Sequence, residues 1–421
     1  MRSLRLLTLV VALTVLVAAS THAAPVQVDF WIGLSGSLGE VLMDMVNEFN
    51  ASQDEVFVNA SFQGSYFDVQ QKAMISIAGG MPPDMIQVEQ AQVRNLAAMG
   101  VVPPLSDLNI DTSEFIPTLI ADCYYKGELY GVPFNRSTPL LYYNKEMFRE
   151  AGLGEDPPKT WEEVLEFAKK LTKPASGDQD ATWGFQIVPN FWFFEAMVWQ
   201  FGGEMADDST GQLLYDGPQA VEALKFWQDL IHVHQVARCP AGEEAAAHAI
   251  TRADFYAGRV AMIFDSTGQL TAHDNNTPFE MGVGFLPAAV THAVPTGGGN
   301  IVILARNPET RRAAAKFIEW FTNAENAAVW SMRTGYMPVN QVAMNSEEMQ
   351  KFYETNPNAK VAGDQLVYAR TVPAISVIPE VVESVESALQ AVLLGGEDPA
   401  AALANSVRES QPAANKFFRN R

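Results

Sequence analysis

The feature that most constrains the fold is an alternation of apolar strands and amphipathic helices that begins at residue 26. Apolar residues alternate with less apolar ones through 26–32, as in a half-buried β-strand. Apolar positions in 38–49 then recur on one helical face, and a second strand pattern covers 56–62. Ser37 and Glu40 have the spacing of a capping box, which predicts the start of the intervening helix. Strand, helix and strand at this spacing predict a parallel α/β unit.

The alternation continues along the chain, which favours two α/β domains rather than one. No glycine-serine or proline tract separates two halves, so we predict domains that exchange segments through several short crossovers. In such folds ligands bind in the crevice at the carboxyl ends of strands. Further strands are predicted at 85–88, 140–143 and 301–304. Further helices are predicted at 145–151, from Pro218, and from Thr322 to Gly335. Two more are predicted to begin after capping residues, one after Thr160, which has Glu163 three residues further on, and one after Asn307.

The first 23 residues have the pattern of a cleaved signal peptide. Arg2 and Arg5 precede an uncharged, largely apolar stretch at 6–19, and small residues follow at 21–23. The apolar stretch is shorter than the roughly 20 residues that a membrane-spanning helix needs. No cysteine lies near the cleavage site, so we predict a secreted, periplasmic protein without a lipid anchor.

Charge argues against two classes of partner. Removal of the predicted signal peptide takes away Arg2 and Arg5, so the formal net charge of the mature chain is −23 instead of −21. So negative a chain is disfavoured from binding nucleic acid and anionic lipid surfaces. Cys123 and Cys239 are the only cysteines in the sequence. They are far apart in the chain, and whether they form a disulfide stays open.

The motifs of common enzymes and metal sites are weak or missing. His232 and His234, with Cys239 and His248 downstream, offer zinc-type ligands, but alternate residues of a helix point apart, so ordinary surface histidines are the simpler interpretation. Three glycines at 297–299 lack the Lys-Ser/Thr of a phosphate loop, and no G-x-S-x-G motif occurs. We therefore predict a protein that is not an enzyme and has no cofactor and no metal.

What remains is a set of aromatic, hydroxyl, amide and glycine residues in predicted loops at strand and helix ends. An aromatic cluster alone usually belongs to a core. Together, such side chains can bind a polyol by ring stacking and hydrogen bonds. The candidates are Tyr66, Glu89, Gln90, Asn135, Arg136, Ser137, Thr138, Phe191–Phe194, Ser266–Gly268 and Tyr336.

At these residues the chain resembles a known family, the family 1 extracellular solute-binding proteins of ABC importers. The resemblance covers nearly the whole mature chain. Its most specific segment is PFNRSTPLLYYNK at 133–145, and further matches lie at 151–153, 157–161, 334–339 and 352–357. It implies an α/β, type II periplasmic-binding-protein fold in which two lobes close by a hinge on a small polar ligand. It also implies ABC permease subunits with a cytoplasmic ATPase as partners, and a monomer.

The resemblance also implies which residues contact the ligand. The family's contacting tyrosines, serines and glycine correspond to Tyr66, Ser137, Ser266, Gly298 and Tyr336, and its stacking tryptophan region to Phe191 and Trp192. Within the family, the likeness is greatest to binders of glycerol phosphates. The glutamate of those proteins corresponds to Gln90 in this chain, and Glu89 is its neighbour. Their arginine that is expected to pair with the phosphate lies near the C-terminal end and corresponds to a position near Val382. Arg136 and Arg370 are therefore candidates to supply that positive charge.

From the pattern and the resemblance we predict one lobe from 24–134 and 292–335, and the other from 135–291 and 336–421. The leading ligand is sn-glycerol 3-phosphate or a glycerophosphodiester. A neutral mono- or oligosaccharide is the alternative, favoured by the missing arginine and by the aromatic segment 191–194. An exported carbohydrate-active or phosphodiester-cleaving enzyme is the alternative from a different class.

Overall fold

The computed structural model describes residues 24–176 and 180–420, so the predicted signal peptide lies outside the described residues. None of the helices in these ranges is long and apolar enough to cross a membrane. The strands are β1 (Val26–Ile32), β2 (Val56–Phe62), β3 (Met85–Glu89), β4 (Tyr124–Tyr125), β5 (Glu128–Leu129), β6 (Val132–Ser137), β7 (Pro139–Asn144), β8 (Trp183–Gln186), β9 (Ala206–Asp207), β10 (Gln212–Leu213), β11 (Ala237–Arg238), β12 (Val260–Ser266), β13 (Met281–Gly284), β14 (Val294–Pro295), β15 (Gly297–Ile303) and β16 (Ala369–Arg370). The helices are α1 (Gly36–Ser52), α2 (Tyr66–Ala78), α3 (Gln92–Ala98), α4 (Pro117–Ile120), α5 (Lys145–Glu150), α6 (Trp161–Leu171), α7 (Phe191–Gln200), α8 (Pro218–His232), α9 (Glu244–Tyr256), α10 (Leu270–Asn276), α11 (Pro308–Thr322), α12 (Ala324–Thr334), α13 (Gln341–Met344), α14 (Glu347–Thr355), α15 (Pro357–Gln365), α16 (Pro379–Leu393) and α17 (Pro399–Asn420).

Two mixed five-stranded sheets form the centres of two lobes. The first has the order β2-β1-β3-β15-β6, with β1, β2 and β3 parallel and β15 antiparallel to both of its neighbours. The second has the order β11-β8-β12-β7-β13, with β7 antiparallel to β12 and β13. This is the two-lobed α/β architecture that the sequence predicts.

The chain crosses between the sheets in short, buried steps. Ser137 ends a strand of the first sheet and Pro139 begins a strand of the second, so Thr138 alone connects them. Thr138 is completely buried, and its carbonyl accepts from the Thr267 amide over 3.0 Å. Two later connecting segments pair with each other as β14 and β16. The order of the strands in the two sheets fits two lobes that exchange chain segments. The limits of the two lobes remain a prediction.

The lobes have aromatic cores that hold their helices on the sheets. Phe134 lies 4.6 Å from Phe321 and 5.7 Å from Trp330 between ring centroids, which joins β6 to α11 and α12. In the second lobe Trp161 contacts Phe264 edge to face at 5.6 Å. Burying a large apolar side chain contributes roughly 1.5–3 kcal/mol, so each cluster stabilises its lobe considerably.

Several helix starts were predicted correctly and two were not. Thr160 caps α6 by accepting from the Glu163 amide, and Asn307 caps α11 with Pro308 in its first turn. The capping box at Ser37 is wrong, because α1 already begins at Gly36 and Ser37 lies inside it. Thr322 is also wrong as a cap. It ends α11, where its hydroxyl donates to the Ile318 carbonyl, and Asn323 caps α12 instead.

Both cysteines are free, and Cys123 is completely buried. His232 ends α8 as predicted, with its Nε2 3.0 Å from the Leu393 carbonyl oxygen. Among the described residues, no three His, Cys, Asp or Glu side chains are arranged to hold a metal ion.

Candidate ligand-binding cleft

A cavity of about 340 Å³ lies between the two sheets, at the ends of strands β3, β6 and β12 and at the start of β15. The first turns of helices α2 and α7 face it, so backbone donors and side chains from both lobes converge there. Its wall is formed by Ser65, Tyr66, Phe67, Glu89, Gln90, Ser137, Asn190, Phe191, Trp192, Phe193, Glu195, Glu244, His248, Arg252, Asp265, Ser266, Gly297, Gly298, Tyr336, Val372, Val377, Val382 and Glu386.

Two tyrosines from distant parts of the chain meet in this cavity. Asn135 donates its side-chain amide to the Tyr66 hydroxyl over 2.7 Å, and the Tyr66 hydroxyl also interacts with that of Tyr336. Tyr336 follows Gly335, whose left-handed backbone at φ 91° ends α12, and its ring stacks on Trp330 at 5.8 Å. Burial raises the pKa of both phenols, so both stay neutral hydrogen-bonding groups.

Serines and glycines supply small polar groups at the strand ends. Ser137 is the last residue of β6, and Ser266 is the last residue of β12. Gly298 lines the cavity with φ 85°, and a Cβ on it would collide with the Asn135 carbonyl. The predicted loop of glycines is therefore part of β15, where only glycine lets the backbone approach this closely.

The aromatic segment at 191–194 is a helix start, not the predicted loop. Asn190 caps α7 by accepting from the Phe193 amide, which places Phe191 and Trp192 in the first turn. The Trp192 indole donates to the Thr296 carbonyl over 3.2 Å, and the absence of a side chain on Gly297 makes room for its ring. Trp192 therefore joins α7 to Thr296, the residue between β14 and β15. Tyr66 likewise opens a helix, α2, in place of the predicted loop.

The cavity wall is rich in carboxyl groups, which are Glu89, Glu195, Glu244, Asp265 and Glu386. Burial raises the pKa of Glu89 to about 7, and the charge of Asp122 adds to that shift. Burial also raises the pKa of Glu386 to about 7, with Glu244 adding to it. Burial, followed by repulsion from Glu89, raises the pKa of Glu195 well above its usual range. Burial is the main cause of each of these three pKa shifts, because a charged carboxylate loses its hydration in the wall of the cavity.

Arg252 on α9 is the one arginine or lysine among the residues that line the cavity in the described part of the chain. It donates to Asp265 through Nε at 2.6 Å and Nη2 at 3.0 Å, and Nη1 takes part in neither bond. His273 lies 3.2 Å from the same carboxylate. These partners hold the pKa of Asp265 far below its usual range despite its burial. Arg252 is thus fixed in orientation while 29% of its side chain stays exposed.

Arg136 is not among the residues that line this cavity, and its predicted ligand contact stays a prediction. The side chain is completely buried, and all five N–H donors are used inside the protein. Nε donates to Gly297, Nη1 to Leu119 and Asn300, and Nη2 to Gln90 and Thr296. Gln90 lines the cavity, but both ends of its amide bind protein groups as well. Arg370 is also engaged elsewhere, because Glu204 binds it at 2.7 Å.

Nine of the predicted ligand contacts are brought together in this cavity, namely Tyr66, Glu89, Gln90, Ser137, Phe191, Trp192, Ser266, Gly298 and Tyr336. Their role in binding stays a prediction. Sequence reasoning missed Arg252, which stands four residues after His248 and eight after Glu244 on one face of α9. It also missed Glu195, although a single acidic residue in the apolar run FWFFEAMVW was a visible signal.

The chain belongs to the bacterial extracellular solute-binding proteins, whose family model matches residues 44–360. Relatives match over almost the whole length. The chain is 29% identical to the sn-glycerol-3-phosphate-binding periplasmic protein UgpB of Yersinia pseudotuberculosis, with 99% of this chain and 98% of that protein covered. It is 27% identical to UgpB of an Escherichia coli strain, with 99% of both chains covered.

Solved structures agree with this assignment. UgpB from Mycobacterium tuberculosis in complex with glycerophosphocholine superposes with a TM-score of 0.82, at 28% identity over 94% of this chain and 99% of that one. The GacH receptor of Streptomyces glaucescens, solved unliganded and in complex with acarbose, has a TM-score of 0.81 at 20% identity, covering 94% and 99%. The second likeness shows the shared two-lobed fold.

Proposed function

We propose that this protein is the periplasmic substrate-binding component of an ABC importer and that it captures a glycerol phosphodiester between its lobes. The observation that carries the proposal is the convergence of Tyr66, Ser137, Ser266 and Tyr336 around one cavity that contains a fixed arginine, Arg252. The hydroxyls provide hydrogen bonds for a glycerol moiety, and the guanidinium provides charge for a phosphate. The relatives with matching full-length chains support this class of ligand.

The position of Val382 explains why the cation must come from another element. The family resemblance places the phosphate-pairing arginine of the glycerol-phosphate binders near Val382, and this valine lines the cavity. The wall has no positively charged side chain at this position. Arg252 brings a guanidinium to the same cavity from α9, with Asp265 holding it in place. In this chain we therefore assign phosphate recognition to Arg252 and not to Arg136.

The charge of the cavity favours a diester over sn-glycerol 3-phosphate. A phosphate monoester carries about −1.5 to −2 charge at pH 7, whereas a diester carries a single negative charge. The wall already contains Glu89, Glu244 and Glu386 beside the pair of Arg252 and Asp265. An extra negative charge about 6 Å from one carboxylate costs on the order of 2–3 kcal/mol at an effective dielectric constant near 20. The monoester is therefore the weaker ligand.

A neutral sugar is the second candidate, because Trp192 and nearby carboxyl groups line the same cavity. An indole face and carboxylate acceptors suit the apolar face and the hydroxyls of a pyranose ring. Sugar binding would not need Arg252. The two candidates therefore differ in their dependence on this residue and on salt.

Calorimetric titration of the purified mature protein with glycerophosphoglycerol, sn-glycerol 3-phosphate and maltose, in low and high salt, tests the proposal. We expect the diester to bind most tightly and to weaken with salt. Maltose binding that ignores salt, with no heat from either phosphate, would assign the sugar instead. Chromatography of the recovered ligand checks the remaining alternative, since an enzyme of the predicted rival class would release product.

A further inference from the structure

Glu195 is a carboxyl group without a partner in the wall of the cleft. Its side chain is completely buried on α7, and neither carboxyl oxygen has a hydrogen-bond partner among the described residues. It nevertheless lines the cavity. A buried acceptor without a donor costs roughly 1–3 kcal/mol, and more when it is charged. Such a group at the wall of a binding cavity indicates that a ligand supplies the missing donor.

Glu89 lines the same cavity from the other lobe. It ends β3, and its Oε2 accepts from the Ala91 amide over 3.0 Å, while Oε1 takes no part in that bond. Glu89 and Glu195 interact strongly enough for the charge of Glu89 to be the main neighbour that raises the pKa of Glu195. Two carboxyls from opposite lobes therefore face one cavity and repel each other when both are ionised.

The protein's own cations near these groups are engaged elsewhere. Arg370 is held by both oxygens of Glu204, at 2.7 and 2.9 Å, and lies over the Trp199 ring at 4.7 Å. Arg94 lies 3.3 Å from Asp122, and Arg136 has five other acceptors. A cation that neutralises the Glu89 and Glu195 pair must therefore come with the ligand.

The chemistry of the two oxygens selects the kind of cation. A primary ammonium presents three N–H donors, which can satisfy the free oxygens of Glu89 and Glu195 together. A trimethylammonium group carries the same charge but no N–H, so it would leave both oxygens without hydrogen bonds. Arg252 lines the same cavity and is available for an anionic group, which makes the whole site suited to a zwitterion.

We infer that Glu89 and Glu195 form a subsite for a primary ammonium group, so that the ligand is a glycerol phosphodiester whose second alcohol carries a primary amine. The inference rests on the proposed function and adds the identity of the head group to it. The phosphate would bind Arg252, and the ammonium group would bind the two carboxyls.

Titration with three diesters that share the glycerol phosphate and differ in the head group tests the inference. They are glycerophosphoethanolamine, glycerophosphocholine and glycerophosphoglycerol, measured at pH 7.5 on the wild type and on Glu195→Gln, Glu89→Gln and Glu162→Gln. The last is a matched control, because Glu162 is exposed on α6 outside the cavity. Glutamine keeps the volume of the side chain and removes its charge. Thermal unfolding without ligand verifies that each variant folds.

We expect the wild type to prefer the ethanolamine diester over the glycerol diester by about tenfold or more, as a charged hydrogen bond predicts. Glu195→Gln and Glu89→Gln should each abolish most of the preference for the ethanolamine diester over the glycerol diester, whereas Glu162→Gln should keep the wild-type preference. Equal affinity for the ethanolamine and glycerol diesters would overturn the subsite while leaving the proposed function intact. Tighter binding of the choline diester would overturn the primary-ammonium specificity and indicate an aromatic cage. Failure of all three diesters to bind would overturn both proposals.

Discussion

Arg94 of α3 donates to the carbonyl of Val372 over 2.6 Å, and this bond joins a helix of the first lobe to a segment that lines the cleft from the second. Gln92 makes a parallel bond to the Val377 carbonyl over 2.8 Å. The same segment is held from the other side by Asp208, which accepts from the Ala374 and Ile375 amides. The bonds of Arg94 and Gln92 therefore hold the lobes together independently of any ligand.

Arg94→Met should weaken the binding of every ligand by a similar factor, about fivefold for a net contribution near 1 kcal/mol. The physical reason is that affinity includes the cost of bringing the lobes together, and the variant loses a bond between α3 and the segment that lines the cleft. Small-angle scattering of the unliganded protein should show a larger radius of gyration than in the wild type. Arg312→Met, on the exposed face of α11, is the control. A variant that weakens one ligand class alone would show that Arg94 acts on the ligand and not on closure.

Arg136→Met should destabilise the fold and not change ligand selectivity. Removing the guanidinium takes the Arg136 donors away from five acceptors and removes a positive charge that lies 3.5 Å from the Asp122 carboxylate, and losing one partner of a buried pair costs about 3–5 kcal/mol. Urea unfolding measures this loss. Arg408→Met, whose side chain is 71% exposed on α17, should stay within about 0.5 kcal/mol of the wild type. Equal midpoints for the two variants would disprove the structural role of Arg136.

Arg252→Gln should reduce affinity for a glycerol phosphodiester by about 10–100-fold, because a charge-assisted hydrogen bond to the phosphate is lost. The remaining binding should respond little to salt. Asp265→Asn should also weaken binding, since the guanidinium would lose the acceptor that orients it. Arg259→Gln is a fitting control, because Arg259 pairs with Asp254 outside the cavity wall. Phosphodiester affinity that survives Arg252→Gln would remove this residue from phosphate recognition.

The general architecture could be predicted from the sequence because the spacing of apolar residues indicates which face of a strand or helix is buried. The strand at 26–32 and the caps at Thr160 and Asn307 depend on local patterns, and the structure confirms them. The cap at Thr322 failed because two caps compete one residue apart, and Asn323 accepts the hydrogen bond with an extended backbone. Local patterns cannot decide between such neighbours.

The cleft was predictable only in part, because burial and partners decide what a polar residue does. Arg136 stands beside Ser137 in the sequence, but successive residues of a strand point to opposite faces of the sheet. Ser137 therefore reaches the cavity while Arg136 enters the interior and finds Gly297 and Asn300, more than 160 residues away in the chain. No local signal marks such partners. Arg252 was missed because the sequence of its helix has an ordinary amphipathic pattern. Only the position of α9 against the cleft shows that Arg252 lines the cavity.

The carboxyls of the cleft predict that the unliganded protein loses stability as pH rises through neutrality. Glu89 and Glu386 have pKa values of about 7 in the folded protein, above the usual 4.5. Between these values the folded state binds protons that the unfolded state has released, so the stabilisation is complete below about pH 4.5 and is lost through about pH 7. Each carboxyl accounts for roughly 3 kcal/mol of this change. His248, whose pKa burial lowers, acts in the opposite direction below about pH 6.5.

Urea unfolding of the unliganded protein at pH 5, 6, 7 and 8 measures this dependence, and Glu89→Gln and Glu386→Gln should each flatten it. Both variants should be more stable than the wild type at pH 8, because glutamine has no charge to bury. Glu162→Gln, on the exposed face of α6, should keep the wild-type slope. If the two cleft variants also kept that slope, the carboxyls would be ionised without cost in the closed cleft. The repulsion that a cationic ligand relieves would then be absent.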